Sequence, residues 1–251
     1  MGVFSIYFSP TGTTEKVVNG IAEEFGSYSK IDLSNRQSDI HRSFEKQDVC
    51  IVGVPSYGGR VPGVALERMK EYRGNGAKVV LIAVYGNRDY EDTLIELKDF
   101  FTERGFSCLA AVSAVAEHSI MHQFAKGRPS EDDMCQLKNF AGRIIKKMEQ
   151  GEENELQVPG NHPYKEYNGI PLKPKAGQRC VKCGVCAKVC PVGAIPLDHP
   201  QRTDKNLCIS CMRCVQVCPV RARKVNGLMV KVAASGMKKV CSVKKENELF
   251  L

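Results

Sequence analysis

The 251-residue sequence predicts an α/β protein in two parts. A doubly wound parallel sheet is expected over residues 1–150, and a compact cysteine-rich module over 177–226. Three observations predict this. Short apolar runs alternate with helix-periodic stretches through the first 150 residues. The first of those runs ends in a hydroxyl- and glycine-rich turn that opens a helix. Four cysteines recur at one spacing, in CVKCGVCAKVCP (180–191) and again in CISCMRCVQVCP (208–219). A Pro-rich connector at 151–176 and a tail at 227–251, read as a short helix packing back on the protein, complete the division.

Taken in order, VFSIYF (3–8), SKIDLS (29–34), DVCIVGV (48–54), KVVLIAVYG (78–86) and FSCLAAVSAV (106–115) read as strands. Helical patterns fall at about 15–25, 62–73, 90–104 and 131–149. In such a sheet, ligands sit beyond the carboxyl ends of the strands. SPTGTT (9–14) follows the first strand. A helix start there offers unpaired N–H groups and the positive dipole end, and Ser9, Thr11, Thr13 and Thr14 add hydroxyls around Gly12. Without a lysine in the loop or a following GK[ST], the pattern suits a monophosphate better than a nucleoside triphosphate. Two more loops, PSYGGRVPG (55–63) and YGNRDYED (85–92), follow the third and fourth strands, and carry Arg60 and Arg88. EHSIMHQFAKGRPSEDD (117–133) is longer than most connections, and its His118 and His122 are candidate proton donors. Pro159, Pro163, Pro171 and Pro174 make the connector extended and semi-rigid.

Each cysteine run fits C-x2-C-x2-C-x3-C-P, the spacing of bacterial two-cluster ferredoxins, in which the fourth cysteine ligates the other cluster. Cys180, Cys183, Cys186 and Cys218 are thus assigned to one 4Fe–4S cluster, and Cys208, Cys211, Cys214 and Cys190 to a second. Structural zinc takes two separated cysteine pairs, and this spacing suits it poorly. Residues 177–226 carry nine Lys and Arg against two Asp and Glu. Two clusters of about −2 each offset much of that charge, and no stacking aromatics accompany it, so nucleic acid is not an expected partner. No apolar run reaches 18 residues and no leader pattern opens the chain, so a cytoplasmic protein with no membrane partner is expected.

The first 150 residues resemble the flavodoxins, whose five parallel strands run in the order 2-1-3-4-5. SPTGTT is similar to their FMN phosphate loop. The likeness implies that Pro55, Ser56, Tyr57, Gly58 and Gly59 line one side of the flavin, and that Tyr85, Gly86, Asn87 and Tyr90 line the other. As a whole the chain resembles the flavodoxin–ferredoxin fusions of anaerobic microbes, sometimes called ferrodoxins. That resemblance implies FMN and two 4Fe–4S clusters, and an electron-transfer function coupling a low-potential donor to a protein or small-molecule acceptor. No catalytic residue is assigned. A basic cysteine module suits an acidic ferredoxin or flavodoxin as partner. The alternative is a flavin-dependent reductase of a quinone, free flavin, corrinoid or nitro compound.

Overall fold

The computed structural model describes residues 1–152 and 154–251. Five strands come first: β1 (Val3–Tyr7), β2 (Ser29–Asp32), β3 (Val49–Pro55), β4 (Lys78–Tyr85) and β5 (Ser107–Val115). They pair in parallel in the expected order, β2-β1-β3-β4-β5. Central β3 and β4 are apolar along almost their whole length because helices cover both faces of the sheet. Edge strand β2 exposes Ser29 and Lys30 and buries Ile31.

Helices α1 (Thr13–Ala22) and α4 (Glu131–Gln150) cover one face, through Val17, Val18, Ile21, Leu137, Ala141 and Ile144. Helices α2 (Gly63–Met69) and α3 (Thr93–Thr102) cover the other, through Ala65, Met69, Leu94, Leu97 and Phe101. Close packing of α1 depends on Gly53 in β3, where an added Cβ would lie 2.2 Å from Val18 Cγ2. The chain leaves β1 towards β2 on one side and continues from β3 to β5 on the other. The carboxyl ends of β1 and β3 therefore frame the switch point, where a crevice opens.

The cysteine module holds a two-stranded sheet of β6 (Lys175–Ala176) and β7 (Arg223–Lys224), with two four-residue helices, α5 (Val185–Lys188) and α6 (Arg213–Gln216). Since β6 belongs to it, the module begins two residues inside the segment expected to be connector. The connector 154–174 has no regular element but is not free. Leu156 and Leu172 are buried, and Asp92 accepts hydrogen bonds from the backbone N–H of Asn161 (2.9 Å) and Lys165 (2.6 Å). Arg60 holds Glu96 through two hydrogen bonds, donates to Lys165 O and lies over the Tyr164 ring.

The tail departs most from expectation. Its helix α7 (Gly227–Cys241) runs fifteen residues, capped by Asn226, and a further strand β8 (Glu248–Phe250) then joins the large sheet antiparallel to β5. The sheet thus has six strands rather than five. Three residues give too little alternation to reveal a strand in sequence, yet β8 occupies the β5 edge that would otherwise stay unpaired. Buried Asn247 fixes it by accepting from Val115 N (2.8 Å) and donating to Asp133 and Gln136. No helix among the described residues is long and apolar enough to cross a membrane.

Candidate redox site between sheet and cysteine module

A cavity of about 630 Å³ opens at the switch point. Its floor is built from loops at the carboxyl ends of the strands. Thr11, Thr13 and Thr14 come from the first loop, and Pro55, Ser56, Tyr57 and Gly58 from the second. Tyr85 ends β4 and Gly86 follows it, and residues 116–121 follow β5. The roof comes from elsewhere: Tyr167 and Leu172 of the connector, Ile209 and Ser210 of the second cysteine run, and Met229, Val232 and Met237 of α7.

The first loop is shaped to leave donors free. Gly12 takes φ 85° and caps α1 without any side-chain hydrogen bond. Buried Ser9 serves the loop itself, its Oγ accepting from Glu15 N and its N–H donating to Ser34 Oγ. Thr11, Thr13 and Thr14 remain at the cavity wall beside the start of α1. A second hollow of about 500 Å³ lies against the same loop and is lined by Gly12, Lys16, His122 and Met212. Neutral donors at a ten-residue helix N-terminus, next to glycine and tyrosine walls, fit a monophosphate joined to a planar ring.

Three residues expected at the ring sit behind the wall. A Cβ on Gly59 would lie 1.9 Å from Glu91 Oε2, so this glycine faces that carboxylate. Asn87 is buried, donating to Cys241 O (2.7 Å) and Val243 O (2.9 Å) and accepting from Lys245 N. The Tyr90 hydroxyl donates to Glu248 (2.9 Å). Left-handed turns at Asn87 and Glu91 direct this part of the loop towards the α7–β8 segment. The aromatic that crosses to the second loop is Tyr167, whose ring is packed against Gly58. Nothing local in the connector marks it for that position.

The loop after β5 supplies polar groups. His118 Nδ1 accepts from the N–H of Ile120 and Met121, both at 3.2 Å. Burial, with His122 and Arg88 nearby, pushes its pKa down to about 4, so the ring is neutral at pH 7 and is no cationic proton donor. Glu117 accepts from Gly127 N (2.8 Å), which holds it below the usual carboxylate range, and pairs with His122 (2.7 Å). Arg88 lines the cavity while paired with Glu91.

In the cysteine module, Cys180, Cys183, Cys186 and Cys218 line one hollow together with Gly184 and Pro219. Burial pushes the Cys211 and Cys214 thiols up to about 12, and Cys190 and Cys208 add to the shift at both. Cys190 and Cys208 thus lie near enough to Cys211 and Cys214 to disfavour their charged forms. Such thiols stay protonated unless a metal offsets the cost. Cys218 goes the other way: burial raises it, but the N–H groups of Arg223, Ala222 and Val220 more than compensate. Among the described residues, no three His, Cys, Asp or Glu side chains converge as ligands of a single metal ion. A 4Fe–4S cubane takes four cysteine thiolates, one at each iron.

The two runs repeat in backbone as well as in sequence. Left-handed residues fall at Lys182 and Ser210, at Gly184 and Met212, and at Gly193 and Arg221, in matching register. Only one member of each of the last two pairs is glycine, so the shape is imposed by the wrap. Hydrogen bonds tie the module to the sheet domain: Gln216 donates to Thr11 O (3.0 Å) and Arg68 to Pro191 O (2.6 Å). Lys173 of the connector donates to Cys208 O. Tyr57 stands at the junction, and burial beside Cys211 and Cys208 raises its phenol well above the ordinary range.

Residues 179–222 match the family model of the 4Fe-4S dicluster domain. No curated protein sequence matches the chain. Solved structures similar to its sheet domain include oxidised flavodoxin 2 from Bacillus cereus, at 15% identity over 59% of this chain and 99% of that one, with TM-score 0.46. Rubredoxin oxygen:oxidoreductase from Desulfovibrio gigas is 18% identical over 59% of this chain and 37% of that one (TM-score 0.41). Flavodoxin of Fusobacterium nucleatum bound to flavin mononucleotide is 13% identical over 59% and 99% (TM-score 0.38). The fold rests on the observed strand order, not on these scores.

Proposed function

We propose that this chain, a flavodoxin-like sheet fused to a 4Fe–4S dicluster domain, carries electrons between two clusters and an FMN held at the switch point. Clusters exchange single electrons, and a flavin exchanges one or two. One observation carries the reading: Ile209 and Ser210, between two cysteines of the second run, line the same cavity as Thr11, Tyr57 and Tyr85. In this reading Thr11, Thr13, Thr14 and the N–H groups at the start of α1 hold the phosphate. Tyr57, Gly58, Tyr85 and Gly86 flank the ring. Leu172, Met229 and Met237 exclude water from it, and neutral His118 keeps its proton through the exchange. An acidic ferredoxin or flavodoxin supplies the electrons, and a protein or small molecule accepts them.

Anaerobic purification with iron, sulfide and flavin quantified tests the proposal. It predicts about eight irons and one FMN per chain, and flavin bleaching together with the clusters on stepwise reduction. Flavin-free protein with full iron, or pigments that never equilibrate, would refute it.

A second reading has its own observation. Leu228 and Val232 line the cavity yet are 72% and 66% exposed, leaving an open apolar rim where a small acceptor would reach the ring. Multiple turnovers of a quinone, free flavin, corrinoid or nitro compound by reduced protein would favour a reductase; a single stoichiometric oxidation would favour the carrier.

A further inference from the structure

The duplicated cysteine run allows a comparison, since equivalent positions share a backbone but not their surroundings. Val181 and Ile209 are equivalent: Val181 is 64% exposed, whereas Ile209 packs against the sheet core and lines the cavity. Lys182 is exposed, and its equivalent Ser210 is 5% exposed. Cys183 is exposed, while Cys211 is half-buried next to Tyr57. Val185 is also exposed. The opening wrap of the first run, 181–185, therefore faces solvent, and the corresponding 209–211 wrap of the second faces the sheet.

The exposed wrap also carries charge of a single sign. From Gly177 to Leu197 the chain carries Arg179, Lys182 and Lys188 and no Asp or Glu. All three cations are exposed, and none forms an ion pair among the described residues. Two exposed valines set among unpaired cations, over a thiol that reaches the surface, form a small apolar centre with a basic rim.

Building on the electron-transfer reading above, we infer that the 179–188 face is the docking surface for an acidic single-electron donor protein, and that the 208–213 wrap is the internal contact to the flavin cavity. The two runs thus divide the work: one meets the partner, the other meets the sheet. A basic rim speeds encounter with an acidic partner, and the apolar centre supplies the short-range contact.

Rival basic surfaces are α7, with exposed Lys238 and Lys239, and the later part of the module, with exposed Arg202, Lys205, Arg221 and Lys224, so the test compares equal charge changes and then maps the contact. The holoprotein and its Lys182→Glu/Lys188→Glu and Lys238→Glu/Lys239→Glu variants are titrated with an oxidised acidic two-cluster ferredoxin at low salt. Iron and flavin are counted in each. The first variant is expected to weaken docking on the order of tenfold, with a shallower salt dependence, while the second changes it by less than about twofold. Equal effects, a larger effect at α7, or no effect in either would overturn the inference. Zero-length cross-linking of the unmodified protein to the same ferredoxin decides independently of any variant's cluster content. Cross-links at Lys182 or Lys188 support the surface, and cross-links at the α7 lysines, Lys205 or Lys224 in their place exclude it. Failure of the iron and flavin count would instead remove the electron-transfer reading itself.

Discussion

His118 shows how much its surroundings decide what one side chain can do. Its position on a long loop at the carboxyl end of a sheet suggests a proton donor, but its Nδ1 is occupied by two backbone N–H groups and its charged form is disfavoured by burial. The folded ring takes a proton only near pH 4, whereas an unfolded one does so near about pH 6.5. Its contribution to stability is therefore complete above the ordinary histidine range and is lost as pH falls from about 6.5 towards 4. In NMR the His118 Cε1–H resonance should stay fixed between about pH 8 and pH 5.5; a midpoint between 6 and 7 would show that the ring is solvated. At this scale the dicluster pattern was legible, because cluster binding fixes residue type and spacing together, and residues 179–222 match that domain. Asn87 and Tyr90 were not, because their partners Cys241 and Glu248 lie more than 150 positions away.

The informative elements are the long β3, β4 and β5 and the three-residue β8. Strands buried on both faces must be continuously apolar, and so they could be read directly. β8 is held mainly by what surrounds it: the Asn247 side chain, and Glu248 accepting from Ser113 and Tyr90. Asn247→Ala leaves the Val115 N–H without its acceptor and strips a donor from Asp133, which already accepts from Arg128 and Ser130. We expect a cost of about 1–3 kcal/mol, seen as a lower urea midpoint with an unchanged slope. A change below about 0.5 kcal/mol would mean that solvent replaces this bond and that β8 frays. Helix α7 was half legible. Its apolar spacing was clear, but its place over the cavity depends on β8 anchoring the end of the chain.

At the scale of the molecule, the cysteine module is fastened at both ends. The connector runs along α3 into it, and α7 and β8 lead back out to the sheet. Cutting the chain once near exposed Gly169, through an inserted protease site, should therefore leave the two pieces together in gel filtration, with the flavin and cluster spectra preserved. Separation of the pieces would show that β8 and the Arg68 and Gln216 contacts are too weak to hold the halves. The sequence showed a tail packing back on the protein, but not that it ends as a strand of the large sheet. This closure also imposes an order on biosynthesis. Because β8 follows both cysteine runs, a nascent chain emerging from the ribosome keeps the flank of β5 bare until those runs have been translated.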